Sequence, residues 1–371
     1  MKKLFTLIPL VFLCLILSGW GYKGHRIISQ SSAGSFPLQL SFLQPNWTNI
    51  LAMYASEADN RKDTDPNESP RHYIDIDNYP EFVQTGQIAQ SFDSVVAQHG
   101  YSFVIDQGIL PWATLTTFDS LRACFERRDW QKSALFAADL GHYVGDGHQP
   151  LHITKNYDGQ YSGQGGIHSR YETRMVSRYE MQLVYTADTA HFIPDVNGFV
   201  FSYLYDGYGY LDSLLIADSE ARTAAGNVTS DAYYQALWTK AGPFTIRLLK
   251  NASVSLADLI YTAWIQAGSP VFYPLEVPET VDLSNPRLLH NFPNPFTGQT
   301  TIAFEVRHDN TPVTLMVYDN AGNLQDTLLN ESLEGGYHEV TWNAGIHAPG
   351  VYLYVLKSGN RTSSQKMVLV R

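Results

Sequence analysis

Apolar residues recur at intervals of three and four along most of the chain between residues 38 and 270. SFLQPNWTNILAMYASEAD, ATLTTFDSLRACFERRD, DWQKSALFAADLGHYVGD and DAYYQALWTKAGPFTIRLLKNASVSLADLIYTAWIQAG all show this spacing, which predicts α-helices. Asp129 stands at the N-cap of the third, where a short acid accepts from the first free N–H groups of a helix. Pro243 lies inside the fourth and is expected to break or kink it. Around residues 276–288 the chain turns to a proline-containing linker, PLEVPETVDLSNP. Beyond it the period falls to two in TTIAFEVR, VTLMVYDNAGN, HEVTWNA, GVYLYVLKSG and QKMVLV, short strands separated by turn residues. The pattern predicts an all-α body over residues 20–275, then a small all-β sandwich over residues 289–371.

The opening segment, MKKLFTLIPLVFLCLILSGW, joins a basic tip to an apolar run and small residues, so residues 1–19 are expected to be a secretory signal peptide rather than a membrane span. Cys14 falls inside it, which leaves Cys124 as the one cysteine of the mature chain and allows no internal disulfide. Something else must hold an exported protein of this kind together. The 371 residues, 44% hydrophobic and 13% aromatic, are enough to bury real cores. A net charge of −11, more negative still without Lys2 and Lys3, gives no basic face for general nucleic-acid binding. A metal-dependent phosphodiesterase remains compatible with it, because bound cations attract the phosphate. A monomer with no transmembrane segment in the mature chain is expected.

The tract LGHYVGDGHQPLH places three histidines and an aspartate in an apolar helical run, and burying them is costly unless something satisfies them. His142 and Asp146 are four apart and share one helix face, as do His168 and Glu172 in GGIHSRYET. His152 follows just past Pro150, and Asp59 and His72 stand upstream. Imidazole nitrogen and carboxylate oxygen are zinc ligands, and a helix offers them at this spacing. A lone histidine on an apolar face is ordinarily a satisfied core residue. Two such pairs with three further candidates predict a multinuclear zinc site instead. Cleavage after Gly19 would start the mature chain at Trp20, whose α-amino group and carbonyl can chelate a metal together with His25, although an apolar plug that simply starts the fold is the ordinary reading of these residues alone.

W-G-x-x-G-H at the mature start, A-D before R-H-Y-I-D, G-H-Y-V-G-D-x-x-Q-P-L-H and G-I-H-S-R-Y-E resemble the zinc-dependent phospholipase C family over residues 20 to 270. The single-strand-specific zinc nucleases share that family's helical fold and three-zinc site. The resemblance implies three zinc ions held by Trp20 (amino and carbonyl), His25, Asp59, His72, His142, Asp146, His152, His168 and Glu172, with Asp146 bridging two of them. His148 is left to a local hydrogen-bonding role. The nucleases place H-S-x-W-D at the last pair, whereas H-S-R-Y-E here is the phospholipase form. NFPNPFTGQTTIAFEV, VYDNAGN and GVYLYVL resemble the type A sorting domain of the type IX secretion system, which implies that machinery as a partner and a secreted or cell-surface location.

The expected activity is hydrolysis of phospholipid phosphodiesters by metal-activated water, with Asp59 as general base. A single-strand-specific nuclease is the alternative, and a silent metal-stapled binding protein a third. The aromatic runs FSYLYDGYGY, DAYYQALW and RHYIDIDNYP are expected mostly in the core, some at a pocket mouth where they would suit a headgroup or a base equally.

Overall fold

Asp129 caps its helix as expected, its carboxylate accepting from Lys132 N at 3.2 Å. The computed structural model to which this helix belongs describes residues 20–44, 46–186, 188–270, 287–306, 309–320, 322–358 and 361–370. The signal segment 1–19 and the linker residues 276–286 lie outside the described residues. The chain divides into two units, one up to residue 272 and one from residue 273.

The first unit opens with α1 (Gly21–Ser32), α2 (Asn46–Tyr54) and α3 (Glu57–Arg61), followed by α4 (Pro80–Thr85), α5 (Phe92–His99) and α6 (Tyr101–Asp106). Two longer helices, α7 (Leu110–Glu126) and α8 (Trp130–Gly147), pack together. After a stretch without α-helix come α9 (Val176–Arg178), α10 (Val196–Tyr208), α11 (Leu211–Ala225) and α12 (Asp231–Gln266). Helix α1 lies before the stretch of helical periodicity, α10 carries most of the aromatic run FSYLYDGYGY, and α11 falls within the stretch but outside the four segments that show the spacing.

Two apolar clusters build this body. One gathers Trp20, Ile28, Leu140, Val144, Leu256 and Trp264. The other gathers Ile74, Tyr79, Tyr143, Ile153 and Phe201. Helix α8 contributes to both, so it runs along their seam, and burial of each large side chain contributes roughly 1.5–3 kcal/mol. Of the aromatic runs, Tyr203, Tyr233 and Tyr234 are buried, while Tyr205, Tyr208 and Tyr210 are half-buried. Cys124 is a buried free thiol.

The break expected at Pro243 does not occur, for α12 runs as one helix through it. Proline in a helix interior costs ~3 kcal/mol or more. Burial of Leu248, Leu249, Leu256, Leu259 and Ile260 farther along the same helix offsets that loss. Among the described residues, no helix is long and apolar enough to cross a membrane.

The second unit is a sandwich of antiparallel sheets, one ordered β1-β2-β5 and the other β4-β3-β6-β7. Its strands are β1 (Arg287–Phe292), β2 (Gln299–Val306), β3 (Thr311–Asp319), β4 (Leu324–Leu333), β5 (Gly336–Asn343), β6 (Gly350–Ser358) and β7 (Arg361–Leu369). Ile302, Phe304, Leu315, Val317, Trp342, Tyr354 and Met367 fill the space between them. Residues 287 and 288, expected in the linker, already belong to β1. Strand β4 was not expected at all: it is an edge strand whose residues are exposed or half-buried, so it carries no alternating apolar signal.

Candidate metal centre

Six separate segments bring the expected ligands together. Helix α1 supplies His25, α3 supplies Asp59, and the 3-10 turn Ser69–His72 supplies His72. Helix α8 supplies His142 and Asp146 on one face, and the turn Pro150–His152 follows at its end. His168 precedes a π-helical turn, Ser169–Met175, that carries Glu172; such widened turns occur often at functional sites. Close approach of α1 and α8 depends on Gly145, where an added Cβ would stand 2.9 Å from His25 Nδ1 and 3.2 Å from Ile28 Cδ1.

The eight side chains form three groups, His25–Asp59–His142 and His72–His142–Asp146, which share His142, and His152–His168–Glu172. Asp146 uses both oxygens. Oδ1 lies 3.3 Å from His25 Nε2, while Oδ2 lies 3.0 Å from His72 Nδ1 and 3.4 Å from His142 Nε2. Asp59 Oδ1 is 3.5 Å from His142 Nε2 and 3.6 Å from His72 Nδ1. The rings of His25 and His142 stack at 3.8 Å. Trp20 is fully buried and its indole N–H donates to Gly145 O at 2.7 Å, beside Asp146 in the chain.

Hydrogen bonds fix which ring nitrogen faces inward. Nδ1 of His142, His152 and His168 lies 2.8, 2.6 and 3.0 Å from the carbonyls of Ala55, His72 and Tyr157. A carbonyl only accepts, so each Nδ1 carries the proton and each neutral ring presents a bare Nε2. His152 Nε2 and His168 Nε2 then face one another at 3.1 Å, with Glu172 Oε2 at 3.5 and 2.9 Å. Three acceptors converge there, an arrangement that a bound cation would reconcile. Both ring nitrogens of His25, Nε2 of His72 and Oδ1 of Asp146 are buried and lack hydrogen-bond partners. Imidazole and carboxylate donors with orphaned buried atoms fit zinc.

The electrostatics carry the same demand. Burial would raise the carboxyl of Asp59, but Lys62 and His142 outweigh it and hold it well below the usual range. Asp146 is held down likewise by His142 and His152. Burial opposes charge on His142, yet Asp59 and Asp146 push it up to about 10. In the absence of a metal ion, a proton must therefore take its place among these acids.

Surrounding groups hold the ligands, and the sequence did not single them out. Lys62 Nζ donates to Asp59 Oδ1 at 2.7 Å, and Gln149 Nε2 donates to Glu172 Oε2 at 3.0 Å. Glu68, four residues before His72, lies 3.4 Å from His72 Nε2 and accepts from the Tyr143 hydroxyl. Arg170, inside H-S-R-Y-E, bonds Asp218 at 3.1 Å, Tyr233 at 2.9 Å and the carbonyls of Gln164 and Gly165, which anchors the loop leading to His168. Spacing at three or four was the one available signal, and it was present for Lys62 and Glu68. His148 stands apart, with Nδ1 2.8 Å from Val144 O and Nε2 3.3 Å from Ser255 Oγ, and burial pulls it down to about 4.

Residues 290–370 match the family described as the secretion system C-terminal sorting domain. That domain directs the chain through type IX secretion to the cell surface or extracellular space. Over 197 residues the chain is 25% identical to a probable serine protease of Bradyrhizobium tropiciagri, an alignment covering 45% of this chain and 25% of that protein. The chain thus spans about a quarter of the length of that curated relative. Among solved structures, the alpha toxin from Clostridium absonum matches with a TM-score of 0.40 and 12% identity, over 95% of this chain and 99% of that one. The Clostridium perfringens alpha-toxin from avian strain SWCP matches with a TM-score of 0.45 and 10% identity, over 95% and 98%.

Proposed function

We propose that the helical body is a secreted zinc-dependent phosphodiesterase, a phospholipase C acting on the headgroup phosphodiester of phospholipids. The observation that carries it is the convergence of His152 Nε2, His168 Nε2 and Glu172 Oε2 within 3.5 Å of one another in a buried site. Those residues would hold one ion. Asp59, His72, His142 and Asp146 would hold a second, and His25, Asp146 and the amino and carbonyl groups of Trp20 a third, with Asp146 shared. Zinc bound in this way supplies Lewis acidity to the phosphoryl oxygens and acidifies a water, lowering its pKa toward ~7.

The protein's own groups do the rest. Asp59 is 11% exposed, against 0% for Asp146 and 2% for Glu172, so it is the carboxylate a water can reach. Ionised at neutral pH, it takes the proton of the attacking water, and Lys62 steadies it by donating to Oδ1. Asp146 and Glu172 stay buried as ligands. His142, His152 and His168, each locked through Nδ1, keep their orientation through the reaction. The lipid substrate is favoured by the H-S-R-Y-E form ending at Glu172, where the related nucleases place H-S-x-W-D, while the nine filled ligand positions favour a working enzyme over a silent binding protein.

Purified, processed, zinc-loaded protein given phosphatidylcholine vesicles in one arm and single-stranded DNA in the other tests this. Release of phosphocholine with intact DNA is expected. Cut DNA with intact lipid would replace the phospholipase by the nuclease, and inertness in both arms would remove the phosphodiesterase.

A further inference from the structure

His72 differs from its neighbours in the nitrogen it turns inward. His142, His152 and His168 present Nε2 because a backbone carbonyl takes the Nδ1 proton. His72 presents Nδ1 instead, 3.0 Å from Asp146 Oδ2 and 3.0 Å from His142 Nε2. Its Nε2 is buried without a hydrogen-bond partner, and the carboxylate beside it is Glu68, with Oε1 at 3.4 Å.

Glu68 is 1% exposed, a depth at which an anion needs partners. It has them. The Tyr143 hydroxyl donates to Oε1, Arg61 Nε lies 3.3 Å from Oε2, and Arg71 stands 3.8 Å away. Arg61 is itself tied to Asp139 at 3.0 Å, and it sits two residues beyond Asp59 on α3. Glu68 is therefore a fixed negative charge behind His72, in the place that backbone carbonyls occupy behind the other three rings.

The geometry points to Glu68 as a positioning residue of the metal centre: its carboxylate keeps the His72 proton on Nε2, so that Nδ1 faces Asp59 and Asp146 as a bare ligand atom. This deepens the zinc assignment above and rests on it. A metal-free ring can instead carry its proton on Nδ1 and donate to Asp146, and Glu68 works against that tautomer. A carboxylate behind a ligating imidazole fixes the ring and raises its basicity, and losing such a partner commonly costs about 10–100-fold in metal affinity.

The test compares full-length processed protein with Glu68→Gln, which keeps shape and an acceptor but removes the charge. Zinc per chain and affinity are read by elemental analysis and chelator competition. Expected is a tenfold or greater loss for the ion that His72 would hold with Asp59, His142 and Asp146, with the metal-free melting temperature close to wild type. In parallel, ring ¹⁵N–¹H spectra of zinc-loaded wild type should show His72 protonated on Nε2 while His142, His152 and His168 are protonated on Nδ1; this measurement needs no variant to fold. Wild-type affinity in Glu68→Gln, or a His72 proton on Nδ1, would overturn the role of Glu68 and leave the zinc site standing. Wild type that binds no zinc would overturn both.

Discussion

His152 donates its Nδ1 proton to the backbone carbonyl of His72, 2.6 Å away, and the carbonyl of His152 accepts from Ile74 N at 2.8 Å. The two residues belong to different ligand groups, so a shift of the chain at residues 72–74 displaces both. The centre is thus a coupled unit, and loss of one ion should loosen the hold on the next.

Metal removal should destabilise the helical unit markedly. An ion that binds only the folded chain adds about 4 kcal/mol when present at a thousand times its Kd. For a unit of this size that corresponds to roughly 10 °C per site. Calorimetry with a strong chelator should show that drop in the helical transition with the β-sandwich transition unmoved. An unchanged profile would remove the idea that metal holds this disulfide-free body together.

Gly145→Ala should damage the site around His25 selectively. The added methyl meets the fully buried His25 ring and Ile28. Overpacking of this kind costs about 1–3 kcal/mol. Zinc stoichiometry should fall while the His152–His168–Glu172 trio keeps its ion. Full retention of metal would show that α1 can retreat from α8 without cost.

Asp75 should oppose folding as pH rises. Burial, reinforced by Asp77 and only partly countered by Lys155, pushes its carboxyl up to about 7. The unfolded chain ionises near the ordinary value of 3.8, so between there and pH 7 folding requires proton uptake. The penalty is absent below that window, grows through it and is constant above it. Asp75→Asn should match wild type near pH 4 and exceed its melting temperature increasingly up to pH 7. A pH-independent difference would argue against a neutral half-buried carboxyl.

Arg170→Met should be among the more damaging single changes in the helical unit. It takes from the fully buried Asp218 its nearest cation, leaving the hydrogen bonds from Tyr233 and Gln164, and frees the loop before His168. Removing one partner of a buried ion pair costs about 3–5 kcal/mol. Adding Asp218→Leu should recover much of the melting temperature but not the zinc affinity of the His152–His168–Glu172 group, which depends on the anchored loop. Recovery of both would reduce Arg170 to a fold-stabilising residue.

The ligand pairs were legible because a helix turns spacing into proximity: His142 with Asp146, and His168 with Glu172 even though the latter turn is π-helical. His25, Asp59 and His72 join them by tertiary packing, which spacing cannot show; their place in the sequence motifs supplied that link. The groups behind the ligands were harder. Glu68 reads as one more acid in a polar stretch, DPNESPRH, until folding buries it against Arg61 and Tyr143. In the sandwich, the inner strands announced themselves by alternation while β4, an edge strand without a buried face, did not.

The ligands run from His25 to Glu172, and no single helix holds more than two of them. A nascent or partly threaded polypeptide therefore owns no finished cage. Metal held as proposed would load late, and the compartment where the segment around Glu172 finally settles would decide which cation is on hand to be captured.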